Sequence, residues 1–220
     1  MKEDNLSKRI FVTATNTDIG KTYTTKLLLK EYASKGLRVG VIKPIETGVI
    51  DGVYPDGDML LSLVKELNSE FKDIEIEDIV PISYKLPAAP YIASRGKALD
   101  FEAINRAVEK LEKLCDILIV EGAGGLYVPI DASFMIVDLI SFLNASVLLV
   151  THCSLGCIND TLLSLNVLQN RKIDAVIAFN CREEDKNFST VSEPYFLNNN
   201  FDVLKVSDDI DTLCDVLYNL

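Results

Sequence analysis

The chain has 220 residues, of which 48% are hydrophobic, so it is long enough to bury a sizeable core and is predicted to form a single domain over residues 1–220. Its formal charge of −11 argues against a general nucleic-acid binder, which needs clustered Lys and Arg for phosphate contacts. No apolar run reaches membrane-spanning length, and the charged N-terminal MKEDNLSKR is too polar for a signal peptide. We therefore expect a cytoplasmic protein without a membrane partner.

The cysteines are scattered and include no C-x-x-C pair, and the chain has a single histidine. A zinc site is therefore not expected. The sequence instead predicts free thiols in a reducing cytoplasm. The five residues concerned are Cys115, Cys153, Cys157, Cys181 and Cys214.

Short apolar runs alternate with helix-period segments along the whole chain. The predicted strands are 9–14, 38–44, 116–122, 146–152, 174–180 and 201–206, and the predicted helices lie near 21–35, 56–68, 100–114, 134–143, 157–170 and 209–219. Strands rich in Val, Ile and Leu that are separated by helices are typical of a parallel sheet covered on both faces. The sequence therefore predicts an α/β fold, a doubly wound, mostly parallel sheet. Residues 69–99, with three prolines, are expected to form an irregular excursion from it.

The first strand runs into TNTDIGKT (15–22) and then into a helix. Gly20 allows close approach of the backbone, Lys21 can reach the β- and γ-phosphates of a nucleotide, and Thr22 can bind Mg²⁺ through its hydroxyl. The usual first glycine of such a loop is missing, with Ala14 or Thr15 near its position. An ordinary strand–turn–helix is the alternative interpretation.

A second lysine, Lys43, follows the second strand in VIKPIETG, and Pro44 fixes the turn behind it. Since the carboxyl ends of parallel strands share one edge of the sheet, Lys43 is expected to face the same crevice as Lys21. Two ammonium groups at one crevice indicate a highly charged reacting group. A surface lysine that extends into solvent is the alternative.

The strand CDILIVEGAGG ends in Glu121 and a glycine-rich turn, which is the arrangement of a Walker-B carboxylate that holds Mg²⁺. Asp58 opens the next predicted helix and is the preferred second carboxylate. Asp51 and Asp56 are competitors, and Asp56 could instead cap that helix.

Three further features follow later strands. Asn180 offers a donor and an acceptor that suit an adenine edge, although a turn role is equally open. His152 is interpreted as a satisfied structural residue rather than a catalyst. Gly156, in LGCIND, precedes a helix whose N-terminus could bind a carboxylate.

Five segments, TNTDIGKT, IKPIETG, VEGAGGLYVPI, SLGCIND and the strand that ends at Asn180, resemble in their order and spacing the dethiobiotin synthetase family. The resemblance covers nearly the whole chain, is strongest over 10–48 and 117–160, and fades after residue 180. The phosphate loop of that family has five residues between its first glycine and G-K-T, so only that glycine differs here. Because Ala at position 14 does not tolerate positive φ, we expect an ordinary backbone conformation there.

The resemblance implies an ATP- and Mg²⁺-dependent ligase of biotin biosynthesis. Its substrates would be 7,8-diaminononanoate, CO₂ and ATP, and it would act as a homodimer with substrate sites near the subunit interface. One amine would take up CO₂ as a carbamate that attacks the γ-phosphate, and the second amine would displace phosphate and close the cyclic urea.

The residues expected in the site fall into four groups. The catalytic residues are Lys21 and Lys43, and the metal ligands are Thr22, Asp58 and Glu121. The nucleotide would contact Thr17, Asp18, Ile19, Gly20, Lys21, Thr22, Tyr23, Glu121, Gly122, Ala123, Gly124 and Asn180. The diamine would contact Thr47 at its reacting end and Gly156, Cys157, Ile158 and Asn159 at its carboxylate tail.

Some positions depart from the family pattern or match it weakly. Ser154 stands where a lysine occurs in a relative, the match near residues 206–208 is weak, and Tyr195 is a candidate for an aromatic residue supplied by the partner subunit. A regulatory ATPase of the partitioning type is the main alternative. That class carries a signature lysine five residues before the loop lysine, where this chain has Asn16.

Overall fold

A computed structural model describes residues 7–220 of the chain. The expected single domain over 1–220 and the polar N-terminal segment both include residues 1–6, which lie outside the described residues. Within residues 7–220 the chain forms eight strands, β1 to β8: Lys8–Ala14, Val39–Ile42, Ile45–Thr47, Ile82–Tyr84, Ile117–Gly125, Ser146–His152, Ala175–Asn180 and Leu204–Lys205. The same residues form ten α-helices, α1 to α10: Lys21–Ser34, Gly57–Leu67, Ile76–Ile79, Pro90–Ala93, Phe101–Glu112, Ile136–Leu143, Cys157–Asn170, Phe188–Val191, Glu193–Asn198 and Ile210–Asn219. A 3₁₀ turn lies at Ser69–Phe71.

Six strands form one parallel sheet in the order β2-β5-β1-β6-β7-β8. All four residues of β2 and the first six of β5 are buried, as expected for strands covered on both faces. The chain moves to one side of β1 for β2 and β5 and to the other for β6 to β8. The loops at the carboxyl ends on either side of β1 therefore face one crevice. The predicted doubly wound fold is confirmed.

The excursion over residues 69–99 contains more regular structure than the sequence indicates. Its strand β4 pairs in parallel with β3, which the sequence analysis missed, in a separate two-stranded sheet. Glu46 lies opposite Ser83 in this pair. The excursion is thereby hydrogen-bonded to the segment that follows Lys43.

The predicted strand over 201–206 is reduced to β8, which pairs with β7 through only two residues. The preceding segment, for which no strand or helix was predicted, forms the short helices α8 and α9. Phe188 and Phe196 from these helices pack against Phe179 of β7, with ring centroids 5.3 and 4.8 Å away. This apolar cluster is separate from the main core.

The expectation of five free thiols is wrong for two of them, because Cys153 and Cys181 form a disulfide with a Cα–Cα distance of 4.9 Å. His152 and Asn180 are paired in register at the ends of β6 and β7. Cys153 and Cys181, which follow them directly, therefore lie side by side. The remaining three cysteines are buried and free. Among residues 7–220, no helix combines the length and the apolar composition that crossing a membrane requires.

Candidate active site

The phosphate-loop segment connects β1 to the N-terminus of α1. Gly20 has φ 107° and Asp18 has φ 59°, so the left-handed conformations of the loop occur at these two residues. Ala14 is fully buried at the end of β1 and does not have a positive φ, as predicted for this position. The replaced glycine is therefore not needed for the backbone to enter the loop.

Asn180 lies against this loop. Its amide nitrogen donates to the carbonyl oxygen of Ile19 at 2.7 Å, and a Cβ at Gly20 would collide with the Asn180 amide. One amide proton thus holds the loop in place, which leaves the second proton and the carbonyl oxygen for other partners. Contact with a base edge stays a prediction.

Lys21 is a buried cation, only 8% exposed. Its ammonium donates to the carbonyl oxygen of Asn16 at 3.3 Å and forms no ion pair within residues 7–220. Burial lowers the pKa of Lys21; the negative charge of Glu121 opposes this shift, and the positive charge of Lys43 adds to it. A phosphate anion beside Lys21 would therefore relieve an unfavourable charge.

Lys43 is also buried but is fully paired. Its ammonium lies 2.9 Å from Glu121 Oε1 and contacts Asp56 Oδ2, and the side chain is 4% exposed. Burial alone would lower the pKa of Lys43, but the charges of Glu121 and Asp56 outweigh it and raise the pKa. Lys43 therefore does not extend into solvent, and it faces the crevice with Lys21 as predicted.

Thr22 joins the same cluster from the start of α1. Its hydroxyl lies 2.8 Å from Glu121 Oε1 and 3.1 Å from Asp56 Oδ1. Glu121 is fully buried, and its second oxygen, Oε2, has no hydrogen-bond partner among the described residues. A buried carboxylate oxygen without a partner is costly unless a ligand completes it.

The structure does not bring Asp58 to this cluster. The Asp58 carboxylate is turned back and accepts from the backbone N–H of Tyr54 at 2.9 Å. Asp56, two residues earlier, takes the place beside Thr22 and Glu121. The capping alternative for Asp56 also fails, because its side chain makes no capping hydrogen bond to α2.

This donor set fits Mg²⁺, which is held by one or two carboxylates together with phosphate oxygens and water. Two carboxylates and one hydroxyl converge here, and one buried carboxylate oxygen lacks a partner. Among residues 7–220 no group of three or more His, Cys, Asp or Glu side chains is arranged to hold a metal by itself. A metal at this site would therefore need the nucleotide phosphates as further ligands.

A cavity of about 770 Å³ opens in front of the cluster. Many predicted residues line it: Thr17, Asp18, Gly20, Lys21, Thr22, Tyr23, Lys43, Thr47, Gly122, Ala123 and Gly124. The glycine-rich turn continues β5, and Gly124 has φ 69°, a conformation that favours glycine. A Cβ at Gly122 would lie 2.8 Å from Phe11, so this turn needs glycine for close packing as well.

Several wall residues were missed in the sequence analysis: Ile45, Glu46, Pro55, Pro87, Ala88, Ala89, Pro90, Val128 and Arg182. The segment 87–90 belongs to the proline-containing excursion, and its prolines were the only signal for it. Glu46 stands between Lys43 and Thr47, two predicted site residues, and carries no motif of its own. Arg182 follows β7, where its guanidinium contacts the carbonyl oxygen of Asp18.

The residues expected at the substrate tail are not part of this cavity. Gly156, with φ 103°, leads into α7, and Cys157 is buried. Asn159 donates to its neighbour Asp160 at 3.1 Å, and Leu155 is 89% exposed. The chain therefore does not join this helix start to Thr47 and Lys43 within one cavity.

Two residues of uncertain role in the sequence have defined positions. His152 contacts the Ser154 hydroxyl at 2.6 Å and the Asp160 carboxylate at 3.0 Å, so both ring nitrogens have partners within the β6–α7 turn. This arrangement favours the structural interpretation of His152. Tyr195 lies half-exposed on α9, beside Phe196.

The chain is similar in sequence to a described protein family and to named relatives. Residues 8–214 match a family described as an AAA domain. An ATP-dependent dethiobiotin synthetase BioD from Sulfurovum sp. is 46% identical over 85% of this chain and 89% of its own length. A protein of the same name from Wolinella succinogenes is 34% identical over 96% of this chain and 98% of its own length.

Solved structures with a similar fold have much lower identity. The MinC:MinD cell division protein complex of Aquifex aeolicus is 18% identical with a TM-score of 0.53, over 90% of this chain and 79% of that chain. A plasmid partition protein from Borrelia burgdorferi is 9% identical with a TM-score of 0.57, over 97% of each chain. These similarities establish a P-loop NTPase-like fold alone. The two dethiobiotin synthetases are 46% and 34% identical to this chain over most of its length and of their own. The chain therefore belongs to the ATP-dependent dethiobiotin synthetase family.

Proposed function

We propose that this chain is an ATP- and Mg²⁺-dependent dethiobiotin synthetase. It would combine 7,8-diaminononanoate, CO₂ and ATP into dethiobiotin, ADP and phosphate. The observation that carries this proposal is the convergence of two buried lysines, Lys21 and Lys43, with Thr22, Asp56 and Glu121 beside one cavity.

The reaction brings two anions together, a carbamate and the triphosphate of ATP, and their repulsion must be neutralised. Lys21 supports this role because it is buried without an ion pair among the described residues, so a phosphate would supply its missing counterion. Lys43 would contribute a second positive charge on the side of the carbamate. Bound Mg²⁺ would neutralise further negative charge on the phosphates.

For the metal ligands we propose Thr22, Asp56 and Glu121. Asp56 replaces Asp58 in this set because its carboxylate approaches Thr22 and Lys43, whereas that of Asp58 is bonded to the backbone of Tyr54. The unpartnered oxygen of Glu121 supports the assignment. The glycines of the loop and of the turn 122–124 let backbone groups come close to the phosphates.

The diamine would bind with its amines near Thr47 and Lys43, between the phosphate loop and the segment 87–90. Leu126, which follows the glycine-rich turn, does not line this cavity, so other apolar walls would hold the body of the substrate. Pro87, Ala88 and Val128, none of them buried, offer apolar surface in the cavity and would keep water from the reacting groups.

We further propose that the protein acts as a homodimer in the cytoplasm. The helix start at 156–159 does not line the cavity that holds Thr47, and the neighbouring Leu155 is almost fully exposed. A second copy that presents its own helix start would supply the tail site, and Tyr195 stays the candidate aromatic. Sedimentation of the purified protein, with and without the diamine, tests the dimer.

The function is tested with the purified protein, ATP, Mg²⁺, the diamine and ¹³C-labelled bicarbonate. Mass spectrometry should find dethiobiotin that carries one ¹³C, and ADP should appear in a one-to-one ratio with it. The Lys21→Met variant serves as the inactive control. Phosphate release that is independent of the diamine and is stimulated by DNA or a partner protein would instead favour a partitioning-type ATPase.

A further inference from the structure

Glu46 is a buried acid that neither the expected reaction nor the expected metal site uses. It lies on β3 and is 2% exposed. Its Oε1 accepts from the backbone N–H of Asp56 at 2.6 Å, and its Oε2 accepts from that of Gly57 at 3.1 Å. A carboxylate this deeply buried is unfavourable unless strong hydrogen bonds compensate it, and these two N–H groups supply them.

The two N–H groups stand at the start of α2, an 11-residue helix whose N-cap residue is Asp56. An aspartate at an N-cap ordinarily turns its own carboxylate back onto the first turn of the helix. Here the Asp56 side chain makes no such bond and points toward Thr22 and Lys43. Glu46, on strand β3, instead binds the backbone at the helix start. Its negative charge there interacts favourably with the helix dipole.

The packing around Gly57 makes this contact specific. A Cβ at Gly57 would lie 2.8 Å from Glu46 Oε2 and 2.8 Å from Val80 Cγ2. Glycine is therefore required for the carboxylate to reach the helix start at this distance. Gly57 is thus enclosed by the Glu46 carboxylate and the Val80 side chain, while the Asp56 backbone is held by its hydrogen bond to Glu46.

We propose that Glu46 is a positioning residue for the metal site. By binding the backbone of Asp56 and Gly57, it holds the start of α2 in place and keeps the Asp56 carboxylate directed toward Thr22 and Lys43, where it would bind Mg²⁺. The inference rests on the proposed function only in that Asp56 is taken as a metal ligand. It needs no diamine and no turnover, so metal binding can be tested separately from the ligase reaction.

The experiment measures metal affinity directly. Mn²⁺, a paramagnetic substitute for Mg²⁺, is titrated into the protein with saturating ADP and followed by electron paramagnetic resonance; ADP affinity is measured separately in EDTA. Groups that orient metal ligands typically change metal affinity by 10–100-fold. We therefore expect Glu46→Ala to weaken Mn²⁺ binding by about 10–100-fold and to leave ADP affinity in EDTA nearly unchanged.

Two further variants keep the test independent of folding defects. Glu46→Gln retains one acceptor oxygen, so its Mn²⁺ affinity should lie between those of wild type and Glu46→Ala. If Glu46→Ala does not fold, a loss of Mn²⁺ affinity in Glu46→Gln relative to wild type carries the test. Gly57→Ala should weaken Mn²⁺ binding in the same way, because its Cβ displaces the Glu46 carboxylate.

The matched control is Asn68→Ala, at the opposite end of α2. Asn68 is buried and donates to the carbonyl oxygens of Val39 and Leu114, so its loss lowers stability without touching the site. Its Mn²⁺ affinity should equal that of wild type. Unchanged Mn²⁺ affinity in both Glu46 variants, or an equal loss in Asn68→Ala, would overturn the inference. Absence of Mn²⁺ binding by wild type would instead overturn the proposed metal site.

Discussion

Replacing Lys43 with methionine should destabilise the ligand-free protein strongly. The ammonium of Lys43 is the buried counterion of Glu121, 2.9 Å away, and also contacts Asp56. Removing one partner of a buried ion pair typically costs about 3–5 kcal/mol, because the remaining charge keeps its desolvation penalty. Glu121 is fully buried, but the Asp56 side chain is 33% exposed and partly screened by water. We therefore expect the lower end, about 3 kcal/mol.

For a chain of this size, 1 kcal/mol corresponds to a shift of about 2–4 °C in the melting temperature. Lys43→Met should thus lower the melting temperature by about 6–12 °C in thermal unfolding followed by circular dichroism in EDTA. Adding Mg²⁺ and ADP should recover part of the loss, because the metal would supply positive charge to the same carboxylates.

Lys21→Met is the internal control for this experiment. Lys21 is buried near Lys43 but forms no ion pair within residues 7–220, and burial lowers its pKa. Its removal should leave the melting temperature of the ligand-free protein unchanged or higher, and should abolish the stabilisation by ADP. Equal losses of stability in the two variants, or an unchanged melting temperature in Lys43→Met, would refute the assignment of distinct charge environments.

Four other predictions concern the lysines, the metal ligands and the proposed site of the substrate tail. Either lysine variant should lower kcat by about a hundredfold or more, or about 3 kcal/mol of transition-state stabilisation, in a steady-state assay of ADP release; near-normal turnover in Lys43→Met would contradict a shared pocket. The pKa of Lys21 is lowered in the folded state, so the unfolded state binds this proton more tightly. In denaturant titrations, the free energy of unfolding of wild type relative to Lys21→Met should therefore rise as the pH increases toward 10.5. Asp56→Asn should raise the Mg²⁺ concentration needed for half-maximal activity by about tenfold or more, whereas Asp58→Asn should change it little; the reverse order would restore Asp58 as the ligand. Asn159→Ala should raise KM for the full diamine acid far more than for a simple vicinal diamine, and equal effects on both would show that the carboxylate tail binds elsewhere.

The fold and the phosphate loop were predictable because their signals are local. The apolar runs that became β1, β5, β6 and β7 are bounded by polar turns, and the strand–loop–helix transition at Gly20 follows from neighbouring residues alone. The convergence of Lys21 and Lys43 was also predictable, since parallel strands end at one edge of a sheet.

The structure departs from what the sequence indicates where the outcome depends on residues far apart in sequence. Asp58 was preferred to Asp56 because local spacing makes Asp56 a good helix cap, and only the structure reveals that Glu46 occupies that role. The Cys153–Cys181 pair depends on the register of β6 and β7, which no spacing of cysteines encodes.

The small sheet formed by β3 and β4 has a consequence for the local stability of the site. A two-stranded sheet of three residues per strand is only marginally stable by itself, and residues 45–47 pair with no strand of the six-stranded sheet. Opening of this pair is therefore opposed mainly by the burial of Ile45 and Glu46, each 2% exposed, rather than by hydrogen bonds to the main sheet. Opening of this pair would free Glu46 and thereby the start of α2, while the phosphate loop stays anchored on β1. The start of α2 and the β3 side of the cavity would therefore share the local stability of this strand pair, whereas the phosphate loop would not.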